Sequence, residues 1–75
     1  MGPIGQYSNF FKVGHSAFEF VLDFGQSYSE DQAEQYHTRI IISPFYARIL
    51  VKLLRDSINK HEHNFGPIPY NNEIK

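Results

Sequence analysis

Gly14-His15-Ser16-Ala17-Phe18-Glu19-Phe20-Val21-Leu22-Asp23-Phe24-Gly25 is the stretch on which the fold turns. Gly14 and Ser16 mark a turn, and the residues from Ala17 to Phe24 then alternate in polarity. Phe18, Phe20, Leu22 and Phe24 project to one side of an extended chain, while Ala17, Glu19, Val21 and Asp23 project to the other. Full burial of one such large apolar side chain is worth about 1.5–3 kcal/mol. A face carrying four of them therefore calls for a covering layer.

Upstream, Asn9 to Val13 reads as a first strand, and Gly14-His15-Ser16 joins it to the second as a hairpin. Residues 1–8 form a flexible lead-in without periodicity. Downstream, Gly25 ends the second strand. The polar, acidic run Gln26 to Gln35 is a connection expected to be disordered. Tyr36 to Ile42 resumes β character, with Tyr36, Thr38, Ile40 and Ile42 on one face and His37, Arg39 and Ile41 on the other. Antiparallel pairing of strands two and three brings Arg39 near Glu19 or Asp23, and a structural ion pair is expected there.

Ser43-Pro44 is a helix start, with Ser in the N-cap position and Pro at the first helical residue. The helix runs to about His63 or Asn64 and stops at Gly66-Pro67. Ala47, Leu50, Val51, Leu54, Ile58, His61 and Phe65 have the spacing of a core face. Tyr46, Ile49 and Leu53 widen the apolar arc to roughly 200°, twice the roughly 100° that one covering layer needs. The surplus residues call for a second surface, and so does the second face of the sheet, where Phe11, Val13, Val21 and Ile41 are expected together. The expected architecture is α+β: a three-stranded antiparallel sheet with one long C-terminal helix on its aromatic face, spanning residues 9–66, and an extended tail over 67–75. Tyr46, Ile49 and Leu53, with Ile68 and Tyr70 of the tail, are the expected protein interface of a homodimer or larger assembly.

Composition bounds the rest. Seventy-five residues sit near the lower limit for a self-sufficient core, and the chain has no cysteine to supply a disulfide or a thiolate metal site. Such chains often gain stability by oligomerising. No run approaches the roughly 20 apolar residues of a membrane span. The N-terminus lacks the basic and apolar regions of a signal peptide, so a cytoplasmic chain without membrane partners is expected. The net charge of −1 argues against a polyanion as main partner. Charge is nevertheless unevenly placed: the acidic residues gather before position 36, whereas Arg48, Lys52 and Arg55 form a basic helix stripe. That stripe supplies the alternative reading, a small nucleic-acid-binding protein with those three side chains on phosphate.

Four ordered motifs carry a family likeness: Phe11-Lys12-Val13-Gly14-His15-Ser16, then Glu19 to Gly25, then Thr38-Arg39-Ile40-Ile41-Ile42-Ser43-Pro44, and a Leu-rich helix closing at Asn64-Phe65-Gly66. Together they resemble a family of small prokaryotic proteins known as domain of unknown function 3467. The resemblance implies a stand-alone β-β-β-α domain and assigns no catalytic or cofactor residue. Phe45-Tyr46 and the Glu- and Gln-rich connection depart from the pattern and bear on the partner surface.

No catalytic constellation emerges. His61 and His63 lie about 200° apart on a helix and do not chelate one ion. His15 and His37, taken with Glu19 and Asp23, are the only candidates for a carboxylate–histidine cluster, and acid–base catalysis needs a cleft that excludes water. The expectation is a non-enzymatic module without metal or cofactor, acting as an adaptor, assembly factor or inhibitor.

Overall fold

A computed structural model describes residues 2–27 and 35–69. The elements run β1 (Phe10–His15), β2 (Phe20–Gln26), β3 (Gln35–Ile42) and α1 (Pro44–Phe65), the α+β order read from the sequence. The connection expected over Gln26 to Gln35 is shorter, because Gln26 closes β2 and pairs with Gln35 of β3; 28–34 and the tail from Tyr70 onward lie outside the described residues, and with them the expected disorder there and Tyr70 as an interface residue. The chain divides into two compact units, a sheet unit through Pro44 and a helix unit from Phe45.

In the sheet unit, order β1-β2-β3 makes every strand the neighbour of its sequence neighbour, and both pairings are antiparallel. Lys12, Asp23 and Arg39 stand opposite one another across the three strands, as do Val13, Leu22 and Ile40 on the other face. Two local features depart from the simple alternation. The second strand starts at Phe20 rather than at Ala17. The Ser16 hydroxyl accepts the amides of Phe18 and Glu19, both at 3.2 Å, and the Ser16 N–H donates to the Glu19 carbonyl at 2.9 Å. A hydroxyl that satisfies two amides holds these residues in a turn. Phe18 is consequently not on the face of Phe20, Leu22 and Phe24 but 82% exposed in the connection.

The second departure is a register shift at Phe24/Gly25, after which Gly25 faces Tyr36 while Phe24 faces Thr38. One extra residue in β3 turns every later side chain over. Tyr36 therefore does not share the face of Thr38, Ile40 and Ile42. It lies on the Asp23 face against Phe10, with ring centroids 4.9 Å apart and planes tilted by 60°. Beneath this pair lies Gly25, where an added Cβ would overlap the Phe10 ring and come within 2.5 Å of the Gln35 carbonyl oxygen. Glycine is required there because an aromatic ring occupies the place of its side chain.

In the helix unit, α1 begins at Pro44 directly after Ser43 and ends at Gly66, whose φ of 94° is the left-handed conformation glycine tolerates. The Gly66 N–H donates to the Glu62 carbonyl at 2.9 Å, and the Glu62 carboxylate accepts the Ile68 N–H at 2.9 Å. Both close the helix end, where backbone groups lack intrahelical partners.

Among the described residues, no hydrophobic side chain is buried. Leu50, Val51, Leu54 and Ile58, expected as core, are 44%, 51%, 58% and 39% exposed in the single chain; Ile49 and Leu53, expected as interface, are 38% and 59% exposed. The distinction between a core stripe and an interface stripe is thus not matched by any difference in exposure.

Candidate interaction surfaces

The polar feature of the sheet is built on the register. Asp23, central in β2, is buried, and Arg39 directly opposite on β3 grips it with two parallel hydrogen bonds, Nε to Oδ1 at 2.7 Å and Nη2 to Oδ2 at 3.0 Å. The expected pair is therefore Asp23–Arg39, in the bidentate geometry that makes Arg–carboxylate contacts strong. The Arg39 hydrogen bonds, opposed by desolvation and aided by the charges of Arg39 and Lys12, hold the Asp23 carboxyl below the usual carboxylate range. The same hydrogen bonds push the Arg39 guanidinium up. Two-thirds of the Arg39 side chain remains exposed, so it closes over the carboxylate from the solvent side.

The histidines do not join this pair. His15 stands opposite Phe20 on the other face, stacked on its ring at 5.7 Å. His37 donates from Nε2 to the Tyr7 carbonyl at 3.1 Å, and its Nδ1 shares a 2.7 Å hydrogen bond with the Thr38 hydroxyl. A carboxylate–histidine cluster on one face is thus not formed, and among the described residues no three His, Asp or Glu side chains converge as a metal site would require.

Sequence reasoning passed over a clamp at the sheet's open end. Asn9 exchanges two hydrogen bonds with Ser27, each at 2.9 Å. Gly25 accepts the Asn9 N–H at 3.0 Å and the Ser8 hydroxyl at 2.8 Å on its carbonyl. Its one sequence signal was Ser8-Asn9, two residue types that hydrogen-bond nearby backbone, set just before an apolar run.

The apolar surfaces are larger. Phe11 and Val13, expected with Val21 and Ile41, stand instead opposite Phe24 and Leu22 on the aromatic face, because the register pairs them there; Phe11 meets Phe24 edge-on with centroids 5.7 Å apart and is still 62% exposed, as is Val13. On the helix, Phe45, Arg48, Ile49, Val51, Lys52 and Arg55 line a shallow hollow of about 410 Å³. All three residues of the basic stripe thus border apolar neighbours, and Lys52 is already paired with Asp56 at 3.1 Å. Ile68 beyond the helix is 45% exposed. Among the described residues, no helix is long and apolar enough to cross a membrane.

These features define a small α+β chain of three meandering strands and one helix, with apolar surface open on both units. The chain belongs to the family described as Protein of unknown function (DUF3467), whose model matches residues 4–70. No curated protein and no solved structure gives a significant match.

Proposed function

We propose that this chain is a non-enzymatic, oligomerising protein-binding module of the cytoplasm, an adaptor, assembly factor or inhibitor that works as a homodimer or larger assembly. One observation carries the reading: among the described residues no hydrophobic side chain is buried, while eighteen large ones are exposed. Ordering a residue costs roughly 1–2 kcal/mol of backbone entropy, and apolar burial is the main term that offsets it. Neither unit fully buries an apolar side chain of its own, so each draws little on that term, and association supplies more of it. Contiguous exposed apolar patches on soluble chains mark interaction surfaces. Tyr46, Ile49, Leu53 and Ile68 belong to that surface, and Tyr70 extends it by sequence.

The test is absolute mass by light scattering after gel filtration, at low and at high salt. A dimer or larger species that persists at high salt is expected, because an apolar interface is weakly screened. Ile49→Asp should lower that mass while the helical circular dichroism persists. A monomer at both salt concentrations overturns self-association. Binding to a single-stranded oligonucleotide that falls steeply with salt would instead favour phosphate contacts by Arg48, Lys52 and Arg55.

A further inference from the structure

Along α1, Ala47, Val51, Leu54, Ile58, His61 and Phe65 recur at alternating intervals of four and three residues. That is the repeat of a two-helix seam, in which each side chain enters a hole on the facing helix. The seam is open in the single chain: Leu54 is 58% and Phe65 76% exposed. The spacing alone does not choose an occupant. Size and charge along the seam do.

We infer that a second copy of this chain occupies the seam, with the two helices antiparallel and their two-fold axis beside Asp56; this rests on the oligomeric reading above in its larger-assembly form, because Tyr46, Ile49 and Leu53 lie on the helix side away from the seam and make a separate contact. In that arrangement Ala47 meets the second copy's Phe65, the smallest seam side chain against the largest. Val51 meets His61, and Leu54 meets Ile58, so every layer joins a smaller residue to a larger one or two of equal size. Interdigitation of large and small is what close packing demands. Parallel helices would instead stack Phe65 on Phe65, His61 on His61 and Ala47 on Ala47.

Charge points the same way. Flanking the seam, the basic half of the helix holds Arg48 and Arg55, and the far half holds Glu62. Antiparallel pairing sets Arg48 beside the second copy's Glu62, twice by symmetry. One Glu62 oxygen holds the Ile68 N–H, and the carboxylate keeps its second oxygen for the guanidinium. Parallel pairing would bring the basic halves together and leave Arg48 and Glu62 about 21 Å apart along the axis. Arg55 meets its own copy at the two-fold axis, a like-charged contact at the solvated rim. His61, the polar member of the seam, faces Val51 in only one register, and a single polar seam residue is a device that fixes register.

The absence of native cysteine permits clean spin labelling at single introduced cysteines. Asp56→Cys and His63→Cys place labels on the helix side away from the seam, and pulsed electron resonance reads the interchain distance. The expected result is a short Asp56 distance and a longer His63 distance, because the two His63 labels are offset by about 21 Å along the axis. Equal distances at both positions mean parallel helices and overturn the proposal. Absence of an interchain distance while light scattering still reports an oligomer also overturns it, leaving the oligomeric reading intact; a monomer removes both. As a second arm, Arg48→Glu should raise the dimer dissociation constant about tenfold, and combining it with Glu62→Arg should restore it to within about threefold. Failure of the swap to restore it counts against the antiparallel arrangement.

Discussion

Gly25→Ala should destabilise the sheet far more than an added methyl group at an ordinary strand position. The new Cβ would overlap the Phe10 ring, whose Cζ is the nearest atom, and would stand 2.5 Å from the Gln35 carbonyl oxygen, so a side chain and the backbone both obstruct it. Forcing extra volume into such a site costs about 1–3 kcal/mol. Displacing Phe10 also forfeits its contact with Tyr36, a pairing of a kind worth about 0.5–1.5 kcal/mol. Against this, alanine restricts the unfolded chain and returns about 0.4–1 kcal/mol. The net expectation is a loss of about 1–4 kcal/mol out of about 4–11 for a chain this size. With a urea slope of about 1 kcal/mol/M, the unfolding midpoint falls by about 1–4 M. Far-UV circular dichroism at one fixed protomer concentration is the assay, since association shifts apparent stability. Gly14→Ala is the internal control: nothing lies within 4 Å of its added Cβ, so it should be neutral or stabilising by up to about 1 kcal/mol. Phe10→Leu should recover part of the Gly25→Ala loss and not all of it, because the carbonyl remains. Equal midpoints for the two alanine variants would refute the placement of the ring over Gly25.

Other perturbations reach other elements. Asp23 has a folded pKa below its unfolded value of about 3.9, so its pairing stabilises the chain above that pH and is lost as pH falls through the lowered value. Urea midpoints taken from pH 7 down to pH 2 should therefore decline below about pH 4, and Asp23→Asn, less stable at pH 7, should decline less. Gly66→Ala puts a side chain at φ 94° and should cost about 1–2 kcal/mol, read as fraying of the last helical turn by amide hydrogen exchange. Ser16→Ala strips the amides of Phe18 and Glu19 of their acceptor and should cost about 0.5–1.5 kcal/mol, with exchange at those two amides accelerated first.

Legibility in the sequence followed the range of the interactions involved. Phe20, Leu22 and Phe24 could be placed on one face because side-chain alternation is a local property of extended chain. Ser43-Pro44 located the helix start for the same reason. Arg39 could be narrowed to Glu19 or Asp23 because pairing follows once two strands are assumed antiparallel, and the register then selects Asp23. The Ser16 turn was hidden because a hydroxyl competes with the strand on nearly equal terms, and only the geometry of Glu19 shows which prevailed. The position of Tyr36 was lost to one extra residue in β3, for which the polar sequence around His37 carries no mark. The largest gap concerns coverage. Spacing tells which helix residues are apolar, and says nothing of whether sheet, second copy or another protein covers them. Leu54 and Leu53 read differently in sequence and are equally open in the single chain.

The strand order β1-β2-β3 has a consequence for how the chain comes into being. Every ladder joins segments adjacent in the chain, so few long loops must close before contacts form. During synthesis, at about 5–20 residues per second, the first hairpin is complete once Gln26 has cleared the ribosome, a second or more before the residues of α1 follow. The sheet thus has time to zip up by itself before the helix that follows it in the chain is made.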